Sequence, residues 1–148
     1  MTWYANSEGR HGASGRKGDV GEKLVEEYFL HNSITYEHKT DYESQDHKKI
    51  DFSVGEMTID VKNNIFNSYH CVELEKKNRT PGWLFTSSAD KIYAVDSKNK
   101  NIYSYSLGEM RKYINMLENR SYREKRTKET GDLVIWVKVT EPFFTKLQ

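Results

Sequence analysis

The stretch Ile50-Asp51-Phe52-Ser53-Val54-Gly55-Glu56-Met57-Thr58-Ile59-Asp60-Val61-Lys62 decides the fold. Apolar residues alternate with polar ones on both sides of Gly55-Glu56, the pattern of two strands joined by a tight turn. In Ile59-Asp60-Val61-Lys62 the side chains alternate across the strand, so Asp60 and Lys62 share one face and Ile59 and Val61 the other. Two charges on one strand face, flanked by residues that favour burial, are costly unless they pair or bind an ion. Asp51, ending the preceding strand, comes back across the hairpin to the same place.

Working outward, Asp19 and Glu22 have the spacing of a capping box for a helix from about Val20 to His31, with Leu24, Val25, Tyr28 and Phe29 as its apolar stripe. Ile34 to Glu37 and Lys49 to Val54 read as strands joined by a polar loop, Thr40 to Lys48. After Asn63-Asn64 comes a loop, then a strand from His70 to Glu75 with Val72 and Leu74 facing inward. Thr80-Pro81-Gly82 is a turn. Lys91 to Asp96 and Asn101 to Tyr105 are strands, Leu107 to Leu117 has helical spacing, and Asp132 to Thr140 closes the chain as a β-prone run. This order predicts an α/β (α+β) chain with a mixed central β-sheet flanked by helices. Residues 1–18 hold four glycines and little to bury, so a flexible arm is expected there, followed by one domain over 19–148.

The chain has 148 residues, enough to bury roughly 70% of its unfolded surface. With 36% hydrophobic and 30% charged residues it is a folded rather than a disordered sequence. No apolar run is long enough to span a membrane, and the first residues lack a signal-type apolar region, so a cytoplasmic protein is expected. The single Cys71 excludes an intramolecular disulfide and cannot by itself build a zinc site. The net charge of +1 favours no class of partner. It hides a basic stretch: from Arg111 to Lys128 there are seven cations against two acids.

Asp51 and Asp60 offer two carboxylates, and the Val61 carbonyl a third oxygen, to a hard cation such as Mg2+ or Mn2+. Such a cation polarises a phosphate and acidifies a bound water, and Lys62 would hold that water or offset phosphoryl charge. Glu22, one turn into the first helix, adds a carboxylate if the helix packs against the hairpin. The plain alternative for Asp60 and Lys62 is an exposed strand face with an ordinary ion pair. Glu73 is a weaker candidate, since Glu73 and Glu75 also fit a solvated strand face. Trp83 and Phe85 suit base stacking or a small aromatic core. Ser87 and Ser88 suit phosphate contact or a local cap. Arg120, Arg123, Lys125 and Arg126, with Arg16 and Lys17 in the arm, are the candidate phosphate-binding cations. His70 and Cys71 point to opposite faces and make no nucleophilic pair. Gly12, Gly15, Gly18 and Gly21 lack the Lys-Ser/Thr ending of a phosphate loop.

Asp51 and Asp60-Val61-Lys62, with Glu22 in the helical stretch Gly21-Glu22-Lys23-Leu24-Val25-Glu26, resemble the PD-(D/E)XK nuclease superfamily. Ile50 stands where the proline of that motif would be. Thr80-Pro81-Gly82-Trp83-Leu84-Phe85-Thr86-Ser87-Ser88-Ala89-Asp90-Lys91-Ile92-Tyr93 looks like a segment of its small phage-type and Holliday junction resolvase-like members, and the resemblance spans about residues 18 to 118. It implies a restriction-endonuclease-like core and a Mg2+-dependent endodeoxyribonuclease that leaves 5′-phosphate ends, with Asp51 and Asp60 on the metal, Lys62 catalytic and Glu22 auxiliary. It also implies DNA as partner, selectivity for DNA structure, and a homodimer or higher homo-oligomer; a phage-encoded protein acting in a host cell fits the expected location. The rivals are a homing or restriction-type endonuclease, a catalytically silent nucleic-acid-binding module, and an interaction protein whose charged strand is accidental.

Overall fold

The predicted hairpin is present: Phe52–Val54 (β2) and Met57–Lys62 (β3) are antiparallel, Phe52 opposite Ile59 and Val54 opposite Met57. Gly55 turns the chain at φ +59°, in the left-handed region that glycine enters without strain. The computed structural model describes the backbone of residues 13–148 and the side chains from residue 17 onward. On its other edge β3 pairs in parallel with Lys91–Asp96 (β6), which pairs antiparallel with Asn101–Ser106 (β7). Glu37–His38 (β1) and Thr145–Lys146 (β10) flank this row, giving a six-stranded mixed sheet in the order β1-β2-β3-β6-β7-β10.

The other strands form a second, four-stranded antiparallel sheet of Ile65–Phe66 (β4), Tyr69–Glu75 (β5), Leu133–Lys138 (β9) and Lys125–Arg126 (β8), in the order β4-β5-β9-β8. The chain is therefore α+β, with two sheets where one central sheet was expected. Alternation in β5 sets which face is buried but carries no record of which strand lies beside it.

The β6 sequence Lys-Ile-Tyr-Ala-Val-Asp shows why the sheets stack. Ile92 and Ala94 join Val72, Leu74, Ile135 and Val137 of the second sheet in one core. Tyr93 and Val95 face the opposite way, onto Val25 and Phe29 of a long helix, Ala13–His31 (α1), together with Phe52 and Ile59. Covered on both faces, β6 reads as a continuous apolar run. Leu107–Asn115 (α3) adds Leu107, Met110 and Ile114 to the first core at helical spacing.

Several local expectations change. The helix begins at Ala13, not Val20, so residues 13–18 of the expected arm are helical, and residues 1–12 lie outside the described residues. Its glycines are not all indifferent: a Cβ at Gly21 would sit 2.8 Å from Asn63 Cβ, so glycine lets α1 approach the end of β3. The loop over 40–48 contains a π-helical turn, Glu43–His47. The strand expected from Lys49 begins only at Phe52, because Lys49 is left-handed at φ +61° and Ile50 N–H donates to the Ser44 carbonyl at 2.7 Å. Trp83–Thr86 (α2) forms after the Pro81-Gly82 turn, and Arg120–Arg123 (α4) interrupts the expected basic loop. No helix among the described residues is long and apolar enough to cross a membrane.

Candidate functional site

Three segments meet at the end of β3. β2 stops opposite Ile59, while β3 continues through Asp60, Val61 and Lys62. The Asp51 carboxylate takes the place of the missing strand, its Oδ2 accepting from Val61 N–H at 2.7 Å. Asp51 N–H donates to the Ile59 carbonyl at 2.8 Å, and the two-residue repeat turns the Val61 carbonyl to the same side, past the end of β2. Ile59 and Val61 pack toward α1, as the alternation required. Asp60 is buried on the opposite face, at 2% exposure.

Asp60 is held from both sides. Lys62 Nζ lies 3.3 Å from its Oδ1, and the buried Ser87 hydroxyl donates to its Oδ2 at 3.0 Å. Arg111 fixes Ser87 in turn: its Nε donates to the Leu84 carbonyl at 2.7 Å and its Nη2 to the Ser87 carbonyl at 2.8 Å. That fork satisfies carbonyls the short helix α2 leaves open. Lys62 Nζ stands 5.1 Å from the centroid of the Trp83 ring, within cation–π range.

The electrostatics follow from this crowding. Burial, then the charges of Asp60 and Glu22, push the Asp51 carboxyl well above the usual carboxylate range, against the pull of the Val61 amide and Lys62. Burial raises Asp60 too, opposed by the Lys62 ammonium and the Ser87 hydroxyl. With both carboxyls raised, the pair takes up a proton more readily than two ordinary aspartates when no cation is near. Burial works to strip Lys62 of its proton, but Asp60 and Asp51 outweigh it and hold the ammonium above its ordinary value. Beneath lies a neutral wall. His70 Nε2 and the Tyr105 hydroxyl are 2.6 Å apart, His70 Nδ1 lies 2.6 Å from Asn64 Oδ1, and burial with the Lys62 charge lowers the imidazole to about 3.

A cleft of about 460 Å³ opens above the acids, lined by Asp51, Asp60, Val61 and Lys62 from the hairpin and by Lys17 and Glu22 from α1. Gln45, Asp46 and Lys49 reach it from the π-helical segment, and Asn63, Asn64 and Trp83 close its floor. Glu22 thus reaches the same cleft as the acid pair, with Oε1 2.9 Å from His38 Nε2. Two carboxylates, a backbone carbonyl and room for water form an all-oxygen donor set, which fits a hard divalent cation that keeps part of its hydration. Among the described residues there is no group of three or more His, Cys, Asp and Glu side chains placed to hold a metal. The set therefore suits a cation held through carboxylates, carbonyl and water rather than a closed side-chain cage.

The remaining candidates separate. Glu73 lies on β5 in the second sheet, and its Oε1 accepts from Trp83 N–H at 3.1 Å. Ser87 serves Asp60, and the Ser88 hydroxyl donates to the Lys48 carbonyl at 2.7 Å. Trp83 is buried in the core, while Phe85 is exposed. Arg120 pairs with Glu124 within the α4 turn, while Arg123, donating to the Trp136 carbonyl, and Arg126, paired with Glu75, brace the second sheet; none of the three lines the cleft. Lys125 is exposed on β8, the far edge strand. Lys17 lines the cleft, and the side chain of Arg16 lies outside the described residues. Sequence reasoning missed His38, Gln45, Lys49, Asn63 and Arg111, none of which carries a periodic signal; Lys49, next to Ile50-Asp51, was the one with a positional hint. Comparison of the chain with protein-family models, curated proteins and solved structures finds no match.

Proposed function

We propose that this chain is a divalent-metal-dependent endodeoxyribonuclease built on a restriction-endonuclease-like core. The observation that carries the reading is the convergence of Asp51 and the buried Asp60 beside the Lys62 ammonium, at the mouth of a polar cleft. Adjacent acids raised by burial, and in Asp51 also by the Asp60 and Glu22 charges, are what a cation site looks like before the cation arrives. The hairpin β2–β3, the parallel neighbour β6 and the helix α1 bearing Glu22 support the core assignment.

Asp51, Asp60 and the Val61 carbonyl would hold Mg2+ or Mn2+. Bound there, the cation supplies Lewis-acid polarisation of a phosphate oxygen and acidification of a water. Lys62 orients the attacking water and offsets charge that develops on the phosphoryl oxygens. Ser87 fixes which Asp60 oxygen faces the cleft, and Arg111 fixes Ser87. Lys17 and Lys49 flank the acids, where phosphates on either side of the cut bond would lie. The open cleft favours selectivity for DNA structure, as in resolvase-like enzymes. Those enzymes act as homodimers on DNA, and a cytoplasmic setting fits such a substrate.

The test is nicking of supercoiled plasmid and of four-way junctions with Mg2+ and with EDTA. Wild type should cut only with the metal, and Asp60→Ala and Lys62→Ala should each lose at least a hundredfold in rate, the scale of one electrostatic contact in a transition state. Variants that cut as fast as wild type refute the site. A wild type that binds DNA and never cuts with either metal is a silent binding module.

A further inference from the structure

The outer face of the four-stranded sheet carries aromatic side chains that neither core uses. Phe66 stands opposite Tyr69, Tyr69 opposite Lys138, and Cys71 opposite Trp136, and directly opposed residues share a face. Phe66 is 70% exposed, Tyr69 41% and Trp136 36%. With Asn67 they line a shallow groove of about 390 Å³. The other face of β5 already buries His70, Val72 and Leu74, so folding does not call for aromatic bulk outside.

The hairpin tip is shaped to present these rings. Asn67 and Ser68 turn the chain at φ +51° and +67°, a conformation that serine disfavours, and the Ser68 carbonyl accepts from Val139 N–H at 2.9 Å. The turn thereby holds Phe66 and Tyr69 abreast. Two lysines stand on this face, Lys138 opposite Tyr69 and Lys125 opposite Val134, both exposed. Glu73, on the same face, is turned away to Trp83.

The platform follows closely along the chain on residues that line the acid cleft, Asn63 and Asn64. Phe66 follows Lys62 by four residues, so the chain keeps their backbones within about 14 Å of each other.

We propose that Phe66, Tyr69 and Trp136 form a stacking platform for unpaired nucleotides of the substrate, so that the cleft is fed a strand with bases free of a duplex. Every base has a π-face, and the phosphates between stacked bases would meet Lys125 and Lys138. Duplex bases are already stacked and offer these rings nothing. A second copy docked on this face by a two-fold axis would set the same lysines against each other, which phosphate does not. The use of the platform in cleavage rests on the nuclease reading; its binding of single strands does not.

The experiment is fluorescence polarisation of labelled oligo-dT and of a matched duplex, in EDTA so that nothing is cut. Phe66→Ala and Trp136→Ala should each weaken oligo-dT binding about 5- to 100-fold, the loss that follows from removing one stacked base, and change duplex binding less than about twofold. Phe66→Trp should keep the affinity, whereas Phe66→Leu, apolar but without a π-face, should lose it. Unchanged oligo-dT affinity in the alanine variants, or full affinity in Phe66→Leu, overturns the platform. So does a wild-type dimer that Phe66→Ala splits while oligo-dT binding stays the same, since the face is then a contact between copies. Junction cleavage is measured separately on the same variants. Aromatic-dependent strand binding in a protein that never cuts sinks the nuclease reading and leaves the platform standing; cutting without aromatic-dependent binding does the reverse.

Discussion

Replacing Asp51 with asparagine probes the raised carboxyl at the heart of the site. Burial, with Asp60 and Glu22, holds the Asp51 carboxyl well above its ordinary range in the folded chain. The folded state therefore binds that proton more tightly than the unfolded chain, whose aspartates titrate near about 3.9. Its stabilising contribution is complete below about pH 4 and is lost as pH rises through the elevated folded value. A divalent cation needs the ionised pair and must displace the proton, so its apparent affinity should climb up to about tenfold per pH unit across that window. Tenfold is about 1.4 kcal/mol, and a chain of this size shifts its Tm by about 2–4 °C per kcal/mol. The rise in Tm caused by a fixed excess of Mg2+ should therefore grow by about 3–6 °C for each pH unit. In Asp51→Asn the metal-free protein should gain on wild type as pH rises, and the Mg2+ shift should vanish at every pH. Scanning calorimetry with Mg2+ and with EDTA reads both effects, and titration calorimetry in two buffers of different ionisation heat counts the proton released. A Mg2+ shift independent of pH, or undiminished in Asp51→Asn, refutes the reading of the raised Asp51 carboxyl as a cation ligand.

Three further outcomes follow from the packing around that pair. Ser87→Ala removes the donor 3.0 Å from the buried Asp60, which should cost about 1–3 kcal/mol and slow cleavage more than it weakens DNA binding; wild-type Tm and rate together would refute its role. Gly21→Ala should lower the Tm although alanine is favoured over glycine in a helix by about 1 kcal/mol, because the new Cβ meets Asn63 Cβ at 2.8 Å; a more stable variant would show that α1 does not need this approach. His70 is held neutral, its value lowered to about 3 by burial and Lys62, so the unfolded chain binds a proton that the folded chain refuses. That contribution is present above about pH 6.5 and is lost as pH falls toward the folded value, at up to about 1.4 kcal/mol per unit, and His70→Gln should flatten the acid limb of urea midpoint against pH.

The parts of this fold that were legible in the sequence are those whose signal is local. Gly55-Glu56 and its flanking alternation specified the β2–β3 hairpin, and Leu107, Met110 and Ile114 specified α3, because each pattern is written within one element. The division into two sheets was not legible: Val72 and Leu74 say only that one face of β5 is buried, not that β9 lies beside it. The short hairpin of β4 and β5 was missed because Phe66 and Tyr69 point outward, giving a strand without an inward period. Within the site, Asp51, Asp60 and Lys62 could be found from order and spacing. His38 and Arg111 could not, since they reach the cleft or its support from 16 and 24 residues away from the partners they hold. The Arg120–Arg126 cations were legible as charge, but their carboxylate and carbonyl partners come from elsewhere in the fold.

The site owes its existence to unequal strand lengths. Had β2 continued toward Lys49 in register, its backbone would have paired with Val61, and the β3 edge would have closed as an ordinary ladder. Lys49 in the left-handed region and the Ile50 bond to Ser44 stop β2 early, leaving one edge of Asp60-Val61-Lys62 without a strand partner. An open edge at partial burial is costly unless its groups are satisfied. The Asp51 side chain satisfies the Val61 N–H, and in doing so its carboxylate is brought within electrostatic reach of Asp60. The Val61 carbonyl, Asp51 and Asp60 thus converge for one structural reason, the early end of β2, and the same break opens the cleft they line. It follows that the π-helical turn over Glu43–His47, which holds Ile50 through Ser44, belongs to the architecture of the site although it contributes neither acid.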